Sequence, residues 1–595
     1  MASYNLIKGV HASENEYFLN KLLRDEFHFD GIVVSDWGAI CNPIKSIKAG
    51  LDLEMPGVSK GAEFKIYDAI KNNLLDEEIL NKSTLRKIEL YLKTSKEKQN
   101  DFNLEKCLAV AKKINDESIV LLKNECKILP ISKKSSIALI GDFAKNPRIQ
   151  GGGSSSINAI NVTNLYDEFK KENLNFEYAR GYIEEKLKPN NKLINEAKRI
   201  SKNKDVVILM LGIPKIVESE GYDRENMKLP ESQLKLIEEI KKINDNIVII
   251  LQNGSPIEMP FINDAKGIIE SYLGGSMHAK SIKDIIIGNV NPSGRLAETF
   301  PLKYDDVVTK NYYLKDPYYS LYKESIYVGY RYYDTFKKDV LFPFGYGLSY
   351  SDVSYSNLVV VDENEQYKIT FKVKNNSSIF AKETVQIYVG EITPTIFKAR
   401  KELKAFDKVS LEPFEEKDVT LYIKKDELKH YSLTQKKYIL EEGNYNFYLA
   451  KNVSDESNYV TLKIESDDIQ DSKLDLNIYY QMDREVSDDE FKKLINKEFS
   501  FEHKIKPFTL ESPVKDISKT FLGLIIFGIL KPIVLLGIKD PVLRKCYSKS
   551  IPYQPIRSLQ MIGSLTKTNI EGLVDIFNGH LIKGLKKLKS KENIL

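Results

Sequence analysis

The chain has 595 residues, 42% hydrophobic and 29% charged, the composition of a soluble globular protein rather than of a disordered or collagenous one. Its 88 basic and 84 acidic residues leave a formal charge of +4, too balanced to argue for a nucleic-acid partner. Single cores stop growing at about 250 to 300 residues, so several domains are expected.

Residues 15 to 26 predict a helix, with Tyr17, Leu19, Leu22, Leu23 and Phe27 on a helical period. Asp30-Gly31-Ile32-Val33-Val34-Ser35-Asp36-Trp37-Gly38-Ala39 then reads as a short buried strand that delivers Asp36 to its C-terminal end, and residues 42 to 49 predict the next helix. That is a βα unit of a parallel layer, where chemistry gathers at the C-terminal strand ends. Trp37 is the chain's one tryptophan, and an indole offers a flat apolar face and one N–H donor, which suits a sugar ring. From these residues alone a second reading stays open, in which Asp36 caps the following helix and Trp37 fills core.

Met1-Ala2-Ser3-Tyr4-Asn5, Leu23-Arg24-Asp25 and Phe29 to Ala39 together resemble the nucleophile segment of glycoside hydrolase family 3, the β-glucosidase type. The resemblance implies that Asp36 is the nucleophile, that Tyr4 lies beside it, and that no metal or organic cofactor is needed. It also implies that Ala49-Gly50-Leu51-Asp52-Leu53-Glu54-Met55-Pro56-Gly57 and the charged helical tract ending near Gln99 belong to the last part of a TIM-like barrel, residues 1–100. A barrel of that kind takes about 250 residues, so its first strands, with the arginine, Lys-His pair and aspartate that hold the sugar in the family, are expected to lie outside this chain.

Residues 101–302 resemble the family's α/β sandwich domain, and Cys107 to Pro130, with Glu117-Ser118-Ile119-Val120-Leu121-Leu122-Lys123-Asn124-Glu125 inside it, resembles that domain's entry helix. Apolar runs at 137–140, 206–211, 247–251 and 268–269 alternate with helical stretches near 190–203, 231–242 and 279–287, the pattern of a mainly parallel sheet covered on both faces. Gly151-Gly152-Gly153-Ser154-Ser155-Ser156 lacks the Gly-Lys-Ser/Thr ending of a phosphate loop and reads as a tight turn, on the active-site side by resemblance. Val217-Glu218-Ser219-Glu220-Gly221-Tyr222-Asp223-Arg224-Glu225-Asn226 is a polar loop that, on its own, reads as a solvated one. It resembles the family loop that supplies the acid/base, which implies Glu220 in that role, with Glu218 as the alternative register. Asp223 and Arg224 then look like the pair that pins the loop, a fork against a carboxylate.

Residues 303–353 form a tyrosine-rich linker, and 354–467 alternate in the strand manner and resemble a fibronectin type III-like β-sandwich. The final stretch, 468–595, carries no assigned role. Within it Phe521 to Leu530 is strongly apolar but interrupted by Lys531-Pro532, so a buried or interfacial hairpin is favoured over a membrane-spanning helix, and membrane contact of residues 521–538 is not favoured. Thr566 to Lys587 reads as one amphipathic helix with a basic end. Cys41, Cys107, Cys126 and Cys546 have neither pairing logic nor metal spacing, and no secretory signal follows Met1, so reduced thiols and a cytoplasmic location are expected.

The expectation is therefore a multidomain α/β plus all-β protein: partial barrel, α/β sandwich, fibronectin type III-like domain and helical C-terminal extension. The resemblance implies a retaining, exo-acting β-glycosidase, first of all a β-glucosidase, with Asp36 and Glu220 catalytic and Tyr4 and Trp37 binding a carbohydrate substrate, incomplete as this chain. Two alternatives are a non-catalytic sugar-binding remnant and an interaction protein docking through its tail. A homodimer stays open.

Overall fold

Seven and six consecutive buried residues at Val206–Gly212 and Ile247–Gln252 mark the centre of a six-stranded sheet, since only strands covered on both faces tolerate such runs. The computed structural model describes residues 1–57, 62–95, 102–316, 319–473, 475–500, 505–562 and 566–589. These fall into two units, Met1–Phe102 with Glu502–Leu595, and Asn103–Phe501.

In the second unit the strands are β1 (Val120–Asn124), β2 (Ile137–Ile140), β3 (Phe176–Ala179), β4 (Val206–Gly212), β5 (Ile247–Gln252) and β6 (Gly267–Glu270). Their order is β1-β6-β5-β4-β2-β3, parallel throughout except for β1 against β6. Helices Asn191–Ser201, Glu231–Lys241 and His278–Ile286 fall within a residue or two of the predicted bounds. Two differences have local causes. The leading helix ends at Ser118, where Ile119 turns extended, and the apolar run that follows is strand β1 rather than helix. Strand β3 escapes sequence reading because it is an edge strand whose residues are mostly half-exposed.

Seven strands then build the β-sandwich: β7 (Val353–Asp362), β8 (Gln366–Asn375), β9 (Ala381–Glu391), β10 (Glu402–Leu411), β11 (Glu416–Lys424), β12 (Gly443–Ala450) and β13 (Tyr459–Ile464). One sheet has the order β7-β8-β11 and the other β10-β9-β12-β13, all antiparallel. Strand β8 alternates buried and half-buried residues, with Tyr367, Ile369, Phe371 and Val373 turned into the core. The linker is tied to both parts: Tyr346 Oη donates to the Leu122 carbonyl at 3.2 Å, and Tyr330 Oη accepts from the Leu403 amide at 3.1 Å.

The first unit holds three parallel extended segments rather than long strands. The Ala2 amide donates to the Val34 carbonyl at 2.7 Å, the Asp36 amide to the Ala2 carbonyl at 2.8 Å, and the Ser35 amide to the Leu53 carbonyl at 2.9 Å. Helix Tyr17–Glu26 is of the wide π type, and helix Pro43–Ala49 starts on Asn42, whose side chain caps the Ile44 and Lys45 amides.

The stretch read as one C-terminal extension is divided between the two units. Tyr479 belongs to the second unit, where Tyr327 Oη donates to its carbonyl at 2.5 Å and Phe397 stacks on its ring at 5.1 Å. Residues 505–589 belong to the first unit, where the buried form of the expected buried or interfacial hairpin is corrected, as is the single amphipathic helix. Helix Phe521–Leu536 runs through Lys531-Pro532 without a break and leaves Phe521, Leu524 and Leu536 exposed rather than buried; a second helix, Pro541–Ser550, follows a short turn. The single amphipathic helix predicted from Thr566 to Lys587 is two, Lys567–Phe577 and Leu581–Lys589, because Gly579 adopts φ +92° and stops the first. The predicted tract ending near Gln99 is helical over Glu77–Ser95, its end lying outside the described residues.

Candidate active site

Asp36 leaves its extended segment half-buried, its Oδ1 accepting the Trp37 amide at 2.7 Å. The helix that follows is capped by Asn42, so Asp36 is not used for that purpose. Trp37 is 56% exposed and Tyr4 is 52% exposed, with Tyr4 Oη donating to the Trp37 carbonyl at 3.0 Å. The first unit thus assembles Tyr4, Asp36 and Trp37 at one strand end, with two aromatic surfaces open rather than packed into core.

A buried carboxylate holds this end in place. Asp52 Oδ2 accepts Arg24 Nη2 and the Val33 amide, each at 2.9 Å, while Oδ1 accepts Arg86 Nη2 at 2.7 Å. With its charge matched by two guanidiniums and an amide, a carboxylate with no exposed side-chain surface is tolerable, and it locks the segment leading to Asp36. Sequence reading gave Asp52 no role; the only signal was its place in the Ala49 to Gly57 string.

The C-terminal part of this unit reaches the same segment. Arg557 Nη1 donates to the Gly38 carbonyl at 3.1 Å and its Nε to Glu511 at 2.9 Å, while His11 Nε2 stands 3.4 Å from Glu511. The ligating atoms of His11, Cys41 and Glu511 lie within 4.8 Å of one another. Burial pushes the Cys41 thiol up to about 12, and Arg557 already matches the Glu511 charge, so the trio reads as a hydrogen-bonded contact rather than a cation site.

In the second unit the acidic loop leaves the end of β4, where buried Gln233 clamps Gly212 through both of its backbone groups, at 2.9 and 2.8 Å. Glu218 is the loop's anchor. Its carboxylate accepts Arg148 Nη1 at 2.6 Å, the Gly254 amide at 3.0 Å and the Ser255 hydroxyl. Burial alone would raise its pKa, but the Ser255 hydrogen bond and the Arg148 charge outweigh it and hold the group below the ordinary carboxylate value.

Glu220, two residues on, is exposed, and its Oε2 accepts the Ser154 amide at 2.6 Å. The glycine-rich stretch therefore does present a backbone N–H to an anion, and the anion is a carboxylate of this chain. Gly153 has φ +80°, and a Cβ there would stand 2.5 Å from Glu220 Oε2, so this close approach requires glycine.

The expected Asp223–Arg224 pair is split. Arg224 faces Glu218 at 3.6 Å and donates to Ser255 Oγ at 2.7 Å and the Pro256 carbonyl at 3.1 Å. Asp223 is exposed and bonds instead to the Tyr313 hydroxyl. The sequence reading missed Arg148, a fully buried arginine whose only signal was its position just before the glycine-rich stretch.

It also missed Glu298, on the wall of a 750 Å³ cleft that Arg224, Ser255, Tyr304 and Tyr333 line as well. Burial raises Glu298 to about 7, against a 3.4 Å hydrogen bond from Tyr272. The folded state holds that proton more tightly than the unfolded chain. Its contribution to stability is therefore fully present below the ordinary value of 4.5 and is lost as pH rises to about 7. Urea unfolding across that range should show stability declining with pH, and Glu298→Gln should flatten the decline. An unchanged slope in the variant would assign the titration to another group.

This α/β sandwich followed by a seven-stranded β-sandwich, with a buried-anchor acidic loop on the first, matches known domain descriptions: Glycosyl hydrolase family 3 C-terminal domain over residues 119–350 and Fibronectin type III-like domain over 383–453. The chain belongs to glycoside hydrolase family 3. It is 34% identical to the crystal structure of a Bifidobacterium adolescentis GH3 beta-glucosidase, with a TM-score of 0.75, covering 83% of this chain and 73% of that one. Thermostable beta-glucosidase B of Acetivibrio thermocellus is 40% identical over 464 residues, 76% of this chain and 62% of the relative. An exo-alpha-(1->6)-L-arabinopyranosidase of Bifidobacterium breve is 36% identical over 481 residues, 78% of this chain and 63% of the relative. The chain thus spans a little over three-fifths of the length of these two curated relatives.

Proposed function

We propose that this chain carries the two catalytic carboxylates of a retaining, exo-acting β-glycosidase, first of all a β-glucosidase, that removes terminal sugars from oligosaccharides or glycosides. Asp36 is the nucleophile and Glu220 the acid/base; Tyr4 and Trp37 form the sugar-facing surface, and Arg224 supports the loop. The observation that carries this reading is the division of labour in the acidic loop: Glu218 is held by Arg148, Ser255 and the Gly254 amide, while Glu220 is exposed and its carboxylate accepts the Ser154 amide. The β-glucosidases among its relatives supply the substrate class. In a retaining enzyme one carboxylate attacks the anomeric carbon while the other gives the leaving oxygen its proton, then takes a proton from the water that releases the sugar. Neither step calls on a cofactor.

The reading includes a cytoplasmic location, in keeping with four cysteines that form no disulfide among the described residues, and a partial barrel, in keeping with a match that spans 62% of the relative. The alternative is a sugar-binding protein without turnover. One experiment separates them. The chain alone, and a chimera joining it to the residues of the Acetivibrio thermocellus relative that it does not match, are assayed on aryl β-glucosides and aryl α-L-arabinopyranosides. The chimera should turn over the β-glucoside within the usual enzyme range of roughly 1 to 1,000 per second, and the chain alone far below it. A 2-fluoro glycoside should label the peptide containing Asp36. Sugar binding with neither turnover nor label in the chimera would establish the remnant.

A further inference from the structure

Helix Phe521–Leu536 poses a packing problem. Among its 16 residues Lys531 is the one charged side chain, so it is apolar on every face, and such helices are found either in a core or in lipid. The described side chains of this one lie largely outside a core. Phe521 is 82% exposed, Leu524 59% and Leu536 77%, with Leu522 and Ile525 also open. At 1.5 Å per residue the helix is about 24 Å long, short of the roughly 30 Å hydrocarbon layer. No helix among the described residues is long and apolar enough to cross a membrane.

The charge around it identifies the occupant. Between Val514 and Ser550 there are seven lysines and arginines, at 515, 519, 531, 539, 544, 545 and 549, against two acids. Both acids are engaged internally: Asp516 pairs with Lys519 at 3.2 Å, and Asp540 caps the amides of Val542 and Leu543 at 2.8 Å. The asymmetry extends to the whole tail. Residues 502–595 hold 16 basic and 7 acidic side chains, so the preceding 501 residues carry a net charge of −5 while the chain as a whole is +4. A second copy would bring two basic surfaces together, which opposes self-association. An anionic bilayer supplies both things this surface lacks, an apolar layer about as deep as a helix is wide and a sheet of negative charge.

We propose that residues 514–550 form a peripheral membrane-binding element, in which helix Phe521–Leu536 lies in the headgroup and acyl boundary of an anionic bilayer and the flanking lysines and arginines meet its phosphates. The proposal stands apart from the glycosidase reading, and its test does not use turnover.

The full chain is sedimented with vesicles of phosphatidylcholine, alone or with about 30% phosphatidylglycerol, at low and high salt. It should bind the anionic vesicles at least about tenfold more tightly than the neutral ones, and lose most of that preference as salt shortens the screening length. Leu524→Asp should abolish binding at both compositions. Lys519→Glu with Lys539→Glu, two changes at exposed positions that leave the helix face intact, should remove the anionic preference alone; circular dichroism checks that both variants keep the parent helix content. Equal sedimentation with neutral and anionic vesicles, or none with either, overturns the proposal. A concentration-dependent dimer that Leu524→Asp disperses would give the face to a second copy and overturn it equally.

Discussion

Asp36→Asn is expected to slow the glycosylation step of the chimera by at least about a thousandfold while changing sugar binding little. The amide keeps the shape of the carboxylate and still accepts the Trp37 N–H that orients Asp36 at 2.7 Å, so the strand end, Trp37 and the Tyr4 hydrogen bond should persist. What is lost is the negative charge that attacks the anomeric carbon. The reading is a drop in kcat/KM on an aryl β-glucoside together with loss of the 2-fluoro glycoside label. Turnover within about tenfold of the parent would put the nucleophile elsewhere.

The second large effect separates the two glutamates of the acidic loop. Glu220→Ala should spare glycosylation by a dinitrophenyl glucoside, whose leaving group departs with little protonation, and cripple it for a cellobiose-like substrate, whose alkoxide needs a proton. Because the same residue activates water in the second step, azide should accelerate turnover of this variant by attacking the glycosyl-enzyme without a base. Glu218→Ala should behave differently. It leaves the fully buried Arg148 guanidinium without its carboxylate partner and frees Ser255 and the Gly254 amide, so it should damage every substrate alike and lower the stability of the second unit, with no azide rescue. Azide rescue confined to the Glu218 variant would move the acid/base two residues upstream.

The pH behaviour of the same cluster follows from these contacts. Glu218, held below the ordinary carboxylate value by Ser255 and Arg148 despite its burial, contributes stability above that value and loses it as pH falls through its own lowered pKa. Glu298, raised to about 7, does the opposite. The loop's anchor is thus firmest where Glu218 is ionised and Glu298 still holds its proton.

Much of this was legible in the residues. Apolar runs located β2, β4, β5 and β6, and helical spacing located the three helices that cover the sheet, because burial on both faces of a parallel sheet writes itself as unbroken apolar runs. The Phe29 to Ala39 and Val217 to Asn226 strings put forward Asp36 and Glu220 through their resemblance to the family, and those two are the catalytic pair proposed here. Tertiary structure decided the rest. Which of Glu218 and Glu220 is the anchored one could not be read from a spacing of two residues; it depends on Arg148 and Ser255, 70 and 37 positions away from Glu218 in the chain. Edge strand β3 carries too little burial to leave a pattern, and Gly579 ends a helix by a backbone angle that periodicity does not report. Asp52 is fixed by two arginines, Arg24 and Arg86, 28 and 34 residues away, and the tail residues Glu511 and Arg557 reach His11 and Gly38 from some 500 positions along the chain. Local sequence records which faces must be buried, because that is a property of each segment. It does not record which distant charge will satisfy a buried carboxylate, because that partner is chosen only when the segments pack.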